Sequence, residues 1–142
     1  MPRRTMERRP VMRTDRVRVT EAMLSAAAAR SVLEVGAGDH SFAPAIRTGE
    51  MSWVTVDAAA PADCLCDLNV EKVSLPFPDS TFDLVVCTEL LEHLLWPHRL
   101  LSEIRRVLVP PGRLVASVPN AASLTYRLSW AMGRIPACAA SG

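Results

Sequence analysis

The run Ser31-Val-Leu-Glu-Val-Gly36 limits what this chain can fold into more than any other feature. A short apolar stretch that stops at glycine reads as a buried strand entering a tight turn. Two comparable runs follow, Ser52-Trp-Val-Thr-Val-Asp57 and Phe82-Asp-Leu-Val-Val-Cys-Thr88. A weaker strand is expected near Cys64–Asp67, and a fifth at Arg113-Leu-Val-Ala-Ser-Val118.

The segments between these runs have helical character. Residues 16–30 end in an alanine-rich stretch, and alanine is the best helix former. A short helix is expected over 41–48, with Ser41 as N-cap, Pro44 in its first turn and Gly49 ending it. Another begins at Pro97, whose fixed φ suits the first helical position. Its Leu100, Leu101, Ile104, Val107 and Leu108 share one face. The Leu75–Thr81 loop, with its two prolines, breaks the pattern, and Pro110-Pro-Gly112 reads as a turn. Asn120 is placed to cap a last helix running to Met132. Strands alternating with helices through short loops imply an α/β fold, a parallel sheet with helices on both faces. Such sheets bind ligands at the carboxyl ends of their strands.

Composition sets the outer limits. The chain has 142 residues, 49% hydrophobic and 22% charged, ordinary for one globular domain. No apolar run approaches the ~18 residues that a membrane helix needs. The net charge of +1 hides an asymmetry: residues 1–18 carry seven arginines against Glu7 and Asp15. We expect residues 1–15 to be a flexible basic arm, 16–136 the domain and 137–142 a tail. The arm comes without an aromatic-interleaved basic surface, so nucleic acid is not the expected partner. Cys64, Cys66, Cys87 and Cys138 fit no zinc or redox spacing and read as free thiols of a reducing cytoplasm.

Chemistry concentrates at Glu34-Val-Gly36-Ala37-Gly38-Asp39-His40. Glycine lets a backbone turn sharply and approach a ligand that a Cβ would exclude. Glu34 precedes the first glycine by two residues, and Asp57 ends the next strand, where a carboxylate can accept both hydroxyls of a ribose. A dinucleotide fingerprint requires glycine at position 41, which is Ser41, and the lysine-bearing phosphate loop is absent. A nucleoside with a cationic tail therefore fits better than a dinucleotide.

These residues resemble the class I S-adenosylmethionine-dependent methyltransferases, in the broad group that includes ubiquinone-biosynthesis enzymes. The first family motif reads here as Val32-Leu-Glu-Val-Gly-Ala-Gly38. Leu75-Pro-Phe-Pro-Asp-Ser-Thr-Phe-Asp83 is similar to the loop before the family's fourth strand. Glu89-Leu-Leu-Glu-His93 and Pro110-Pro-Gly112-Arg-Leu-Val resemble its next two motifs, all four in order over about residues 30–120. The resemblance implies a Rossmann-like sheet in strand order 3-2-1-4-5, with two further antiparallel strands for which this chain shows no pattern. The domain is thus expected to be incomplete, with the fifth strand an edge prone to self-association.

By the same resemblance, Glu34, Gly36, Ala37 and Gly38 would hold the aminocarboxypropyl end of S-adenosylmethionine. Asp57 would bind the ribose, Asp67 and Leu68 would flank the adenine, and Thr88 and Glu89 would complete the pocket. His40 stands where the family often has a third glycine. Methyl transfer depends mostly on alignment. A base is needed only if the acceptor must lose a proton, and His93 is the candidate. Glu89, His93 and His98 match no metal-ligand spacing. The expected activity is methyl transfer to a small-molecule oxygen, nitrogen or carbon. The alternatives are a cofactor-binding module without transferase activity and a less favoured NAD-dependent oxidoreductase.

Overall fold

The computed structural model describes residues 15–38, 41–120 and 131–132. The basic arm, Asp39, His40, most of the expected last helix and the tail lie outside the described residues. Five strands form one parallel sheet: β1 (Ser31–Val35), β2 (Ser52–Asp57), β3 (Cys64–Leu65), β4 (Phe82–Thr88) and β5 (Leu108–Ser117). Their order is β3-β2-β1-β4-β5, as the resemblance implies.

Side-chain alternation along the central strands divides the interior in two. Val32, Leu84 and Val86 point to one face, where Leu24 of α1 (Asp15–Ala26), Ile46 of α2 (Ala43–Ile46) and Trp53 cover them. Leu33, Val35, Val85 and Cys87 point to the other face, against Leu100, Ile104 and Val107 of α3 (Pro97–Val107). The sheet is therefore covered on both faces, which explains why β1 and β4 read as nearly continuous apolar runs. Burial also pushes the Cys87 thiol up to about 12, with Glu92 adding to the effect.

Asp83 fastens the start of the two central strands. Its Oδ2 accepts the backbone N–H groups of Arg30 and Ser31 at 2.9 and 3.0 Å. Its own N–H donates to Ser31 Oγ at 3.0 Å. These bonds hold the Asp83 carboxyl below the usual range, the Arg30 amide contributing most. At the other side of the sheet, Arg106 grips Glu103 through two nitrogens and donates to the Leu75 and Phe77 carbonyls and to Asp79. The proline-rich loop before β4 is tied to α3 in this way.

Several expected boundaries are corrected. The first helix stops at Ala26, not at residue 30, because Ala28 turns left-handed at φ +49° and sends the chain into β1. The second helix is only Ala43–Ile46. Phe42 is its N-cap and Arg47 its C-cap, in place of Ser41 and Gly49. Leu108 leaves α3 and opens β5, and Leu101 is 38% exposed. Pro110–Gly112 does not end one element before another. It lies within β5 as an irregularity, since Phe82 pairs Leu108 while Leu84 pairs Arg113. Only glycine fits at position 112, where a Cβ would stand 2.5 Å from the Val109 carbonyl oxygen.

Candidate functional site

The parallel register brings the carboxyl ends of β1 and β2 together, with Val35 opposite Val56. The Gly36 N–H continues the ladder to the Val56 carbonyl at 2.8 Å. The chain then turns left-handed at Gly36 (φ +73°) and Gly38 (φ +49°), with Ala37 buried between them. This fold brings the Gly38 N–H within 2.9 Å of Asp57 Oδ2, and the Ala59 N–H donates to Oδ1 at 3.1 Å. Each Asp57 oxygen so carries one backbone donor and keeps acceptor capacity for another. A vicinal diol is the ligand feature that such a carboxylate suits.

Leu90, just beyond β4, closes over the glycine turn. A Cβ built at Gly36 would lie 2.8 Å from Leu90 Cδ2. Between Thr88 and Leu90 stands Glu89, a non-glycine residue at φ +52°. Ser117 at the end of β5 holds it: Glu89 N–H donates to the Ser117 carbonyl, and Ser117 Oγ donates to Glu89 Oε1, both at 2.9 Å. Thr88 and Glu89 thus stand at the strand end nearest the turn, both half-buried. Left-handed non-glycine residues are uncommon and concentrate at binding sites.

Glu34 lies on β1, two residues ahead of the glycine turn. It is 2% exposed and shares the α1–α2 side of the sheet with Trp53. Its carboxylate accepts the Ser41 hydroxyl, the Phe42 N–H at 3.0 Å and the Trp53 indole N–H at 2.9 Å. Ser41 Oγ in turn accepts the Ala43 N–H at 3.1 Å. Glu34 therefore fastens the end of the glycine turn and the start of α2 to β1 and β2. Sequence reasoning missed Trp53 and Ser41 as its partners.

The other expected residues divide. Asp67 is exposed and accepts the Asn69 N–H at Oδ1, 2.9 Å away, while Leu68 is 5% exposed and joins the core against β1 and β4. Cys66 N–H donates to the Asp57 carbonyl at 2.8 Å, so the Asp67 segment starts beside the Asp57 strand end. His93 closes a 3₁₀ turn over Leu91–His93 and is 45% exposed at its side chain. Its Nε2 lies 3.9 Å from Glu92 Oε1. No hydrogen bond among the described residues joins His93 to the glycine turn or to Asp57. Among the described residues no group of three His, Cys, Asp or Glu side chains is arranged to hold a metal ion. A cavity of about 180 Å³ lies elsewhere, at the amino ends of the strands between Ala27–Ala29, Asp83, Val109 and Pro111–Arg113.

Comparison with known proteins agrees with this geometry. A family model described as a methyltransferase domain matches residues 6–139. The chain is 31% identical over 103 residues to a ubiquinone/menaquinone biosynthesis C-methyltransferase of Ruegeria, covering 60% of this chain and 41% of that protein. It is 32% identical over 114 residues to a probable S-adenosylmethionine-dependent methyltransferase of Mycobacterium tuberculosis, covering 75% of this chain and 39% of the relative. The chain thus spans about two fifths of the length of these two relatives. In fold it is similar to a solved protein of Pyrococcus horikoshii, with a TM-score of 0.65 at 22% identity over 84% of this chain and 60% of that one.

Proposed function

Because the chain belongs to the methyltransferase-domain family, we propose that it binds S-adenosylmethionine at the Gly36–Gly38 turn and directs methyl transfer to a small-molecule oxygen, nitrogen or carbon. The observation that carries this reading is the bond between Gly38 N–H and Asp57 across two adjacent strand ends. It sets a carboxylate with spare acceptor capacity beside a left-handed turn whose Gly36 leaves no room for a side chain. When bound, the cofactor supplies an electrophilic methyl on a positively charged sulfur.

The protein's own groups have distinct tasks in this reading. Asp57 accepts the ribose hydroxyls, and Gly36, Ala37 and Gly38 give the aminocarboxypropyl end its close approach. Asp67 accepts from the adenine amine, with Leu68 beneath it. Thr88 and Glu89 wall the pocket from β4, and Leu90 excludes water from above Gly36. Glu34 acts from underneath, by fixing the shape of the turn. His93 takes the proton when the acceptor is a hydroxyl or a protonated amine.

The free thiols of Cys64, Cys66 and Cys87 suit a reducing cytoplasm. Among the described residues no helix is long and apolar enough to cross a membrane. Among the described residues β5 is an edge strand, and its outer backbone groups are where two copies would pair.

The test is calorimetric titration with S-adenosylhomocysteine, followed by competition with NADH. Binding that NADH does not displace is expected. Saturable NADH binding that S-adenosylhomocysteine leaves untouched would replace this reading with the oxidoreductase one.

A further inference from the structure

We infer that Asn69 is a positioning residue that couples the adenine end of the cofactor site to the segment carrying His93. The inference rests on the cofactor reading above. Asn69 has bonds in two directions. Its N–H donates to Asp67 Oδ1 at 2.9 Å, and its side-chain Oδ1 accepts the Leu95 N–H at 2.8 Å, from 26 residues further along the chain.

Leu95 is the point at which this contact has the most effect. It lies between the 3₁₀ turn and α3, where neither helical ladder takes its amide: the Leu94 N–H closes on Leu91, and α3 opens with Arg99 N–H on Trp96. Leu95 is 71% exposed, so its own packing does not hold it in place. Leu91 and Leu94 pack against the core, and the Asn69 oxygen fixes the exposed Leu95 end of the stretch. Asp67, meanwhile, uses Oδ1 for Asn69 and leaves Oδ2 for the adenine amine. An adenine held at Oδ2 steadies the Asp67–Asn69 turn, which steadies the acceptor for Leu95, which places the turn that carries His93. The acceptor side of the cleft is then ordered by cofactor binding, so cofactor precedes acceptor. An exposed single hydrogen bond is modest in strength, which suits a coupling that must form and break in each cycle.

Amide hydrogen exchange on the whole chain tests this, with and without saturating S-adenosylhomocysteine. In the wild type the ligand should slow exchange at least fivefold at Gly36–Gly38 and also at Leu91–Leu95. Asn69→Leu should keep the slowing at Gly36–Gly38, hold ligand affinity within about threefold, and lose the slowing at Leu91–Leu95. Asn69→Asp keeps an acceptor oxygen and should restore it. A merely structural Asn69 would change exchange equally with and without ligand. Wild-type protection confined to Gly36–Gly38, or coupling that survives Asn69→Leu, overturns the inference alone. Absence of ligand protection anywhere overturns the cofactor reading and this inference with it.

Discussion

Gly38 donates its backbone N–H to the Asp57 carboxylate at 2.9 Å, across nineteen residues of sequence. One bond therefore serves two ends. It holds the glycine turn in its left-handed shape, and it aims the carboxylate that the ribose is proposed to meet.

Replacing Asp57 separates these roles. Asp57→Ala should weaken S-adenosylhomocysteine binding by about 1–3 kcal/mol, the scale for leaving polar partners unpaired. Asp57→Asn keeps one acceptor oxygen for the Gly38 N–H and should lose less. Calorimetry on folded variants reads both, and unchanged affinity in Asp57→Ala would remove this residue from the site.

Gly36 carries both backbone and steric constraint, and the two can be measured apart. Gly36→Ala puts a Cβ on a left-handed residue, worth about 1–2 kcal/mol, and presses it on Leu90 Cδ2. In a Leu90→Ala background only the backbone cost should remain. A urea-denaturation cycle of the two single variants and the double one gives the difference. Equal penalties in both backgrounds would assign the whole cost to φ.

Glu34→Gln tests whether that carboxylate is frame or ligand. Glutamine presents one oxygen and one N–H₂ group to three donors, so at least one buried donor loses its acceptor. The expected loss of folding stability is about 1–3 kcal/mol, with a shift in Trp53 emission as its indole bond changes. A variant of unchanged stability that nonetheless fails to bind ligand would make Glu34 a direct contact instead.

Acid sensitivity should report on the clamp between α3 and the proline-rich loop. The Arg106 guanidinium, and then the Leu75 N–H, hold the Glu103 carboxyl below its ordinary value of 4.5. A depressed carboxyl stabilises the fold fully above that value, and the contribution fades as pH falls from there through its lower folded pKa. Glu103→Gln should cost about 1–2 kcal/mol at neutral pH and flatten the fall in stability below about pH 4.5. Urea midpoints measured from pH 7 to pH 3 decide the matter, and parallel curves for the two proteins would count against the clamp.

The sequence shows most plainly what depends on period and burial. Ser52–Asp57 and Phe82–Thr88 have the bounds their sequence runs suggest, because strands covered on both faces are rich in apolar residues. The convergence of Gly38 and Asp57 was legible too, since parallel neighbours of similar length end side by side. Contacts made through space were not legible. Nothing local to Glu34 announces Trp53 as its partner, and nothing near Asn69 announces Leu95. Pro110-Pro-Gly112 misled for a related reason. A proline pair signals a break in local conformation, but the β5 strand absorbs the irregularity and pairs with β4 on both sides of it.

Alternation of β4 from Leu84 to Cys87 between two interiors limits how this architecture can change over generations. One residue inserted between Asp83 and Leu84 would send Leu84 and Val86 to the α3 side and Val85 and Cys87 to the α1 side. The same insertion would swing Thr88 and Glu89 away from the glycine turn. Length variants among descendants of this chain should therefore accumulate in connections such as 58–63 and 69–81, and the inner strands should vary by exchange of similar side chains without change in residue number.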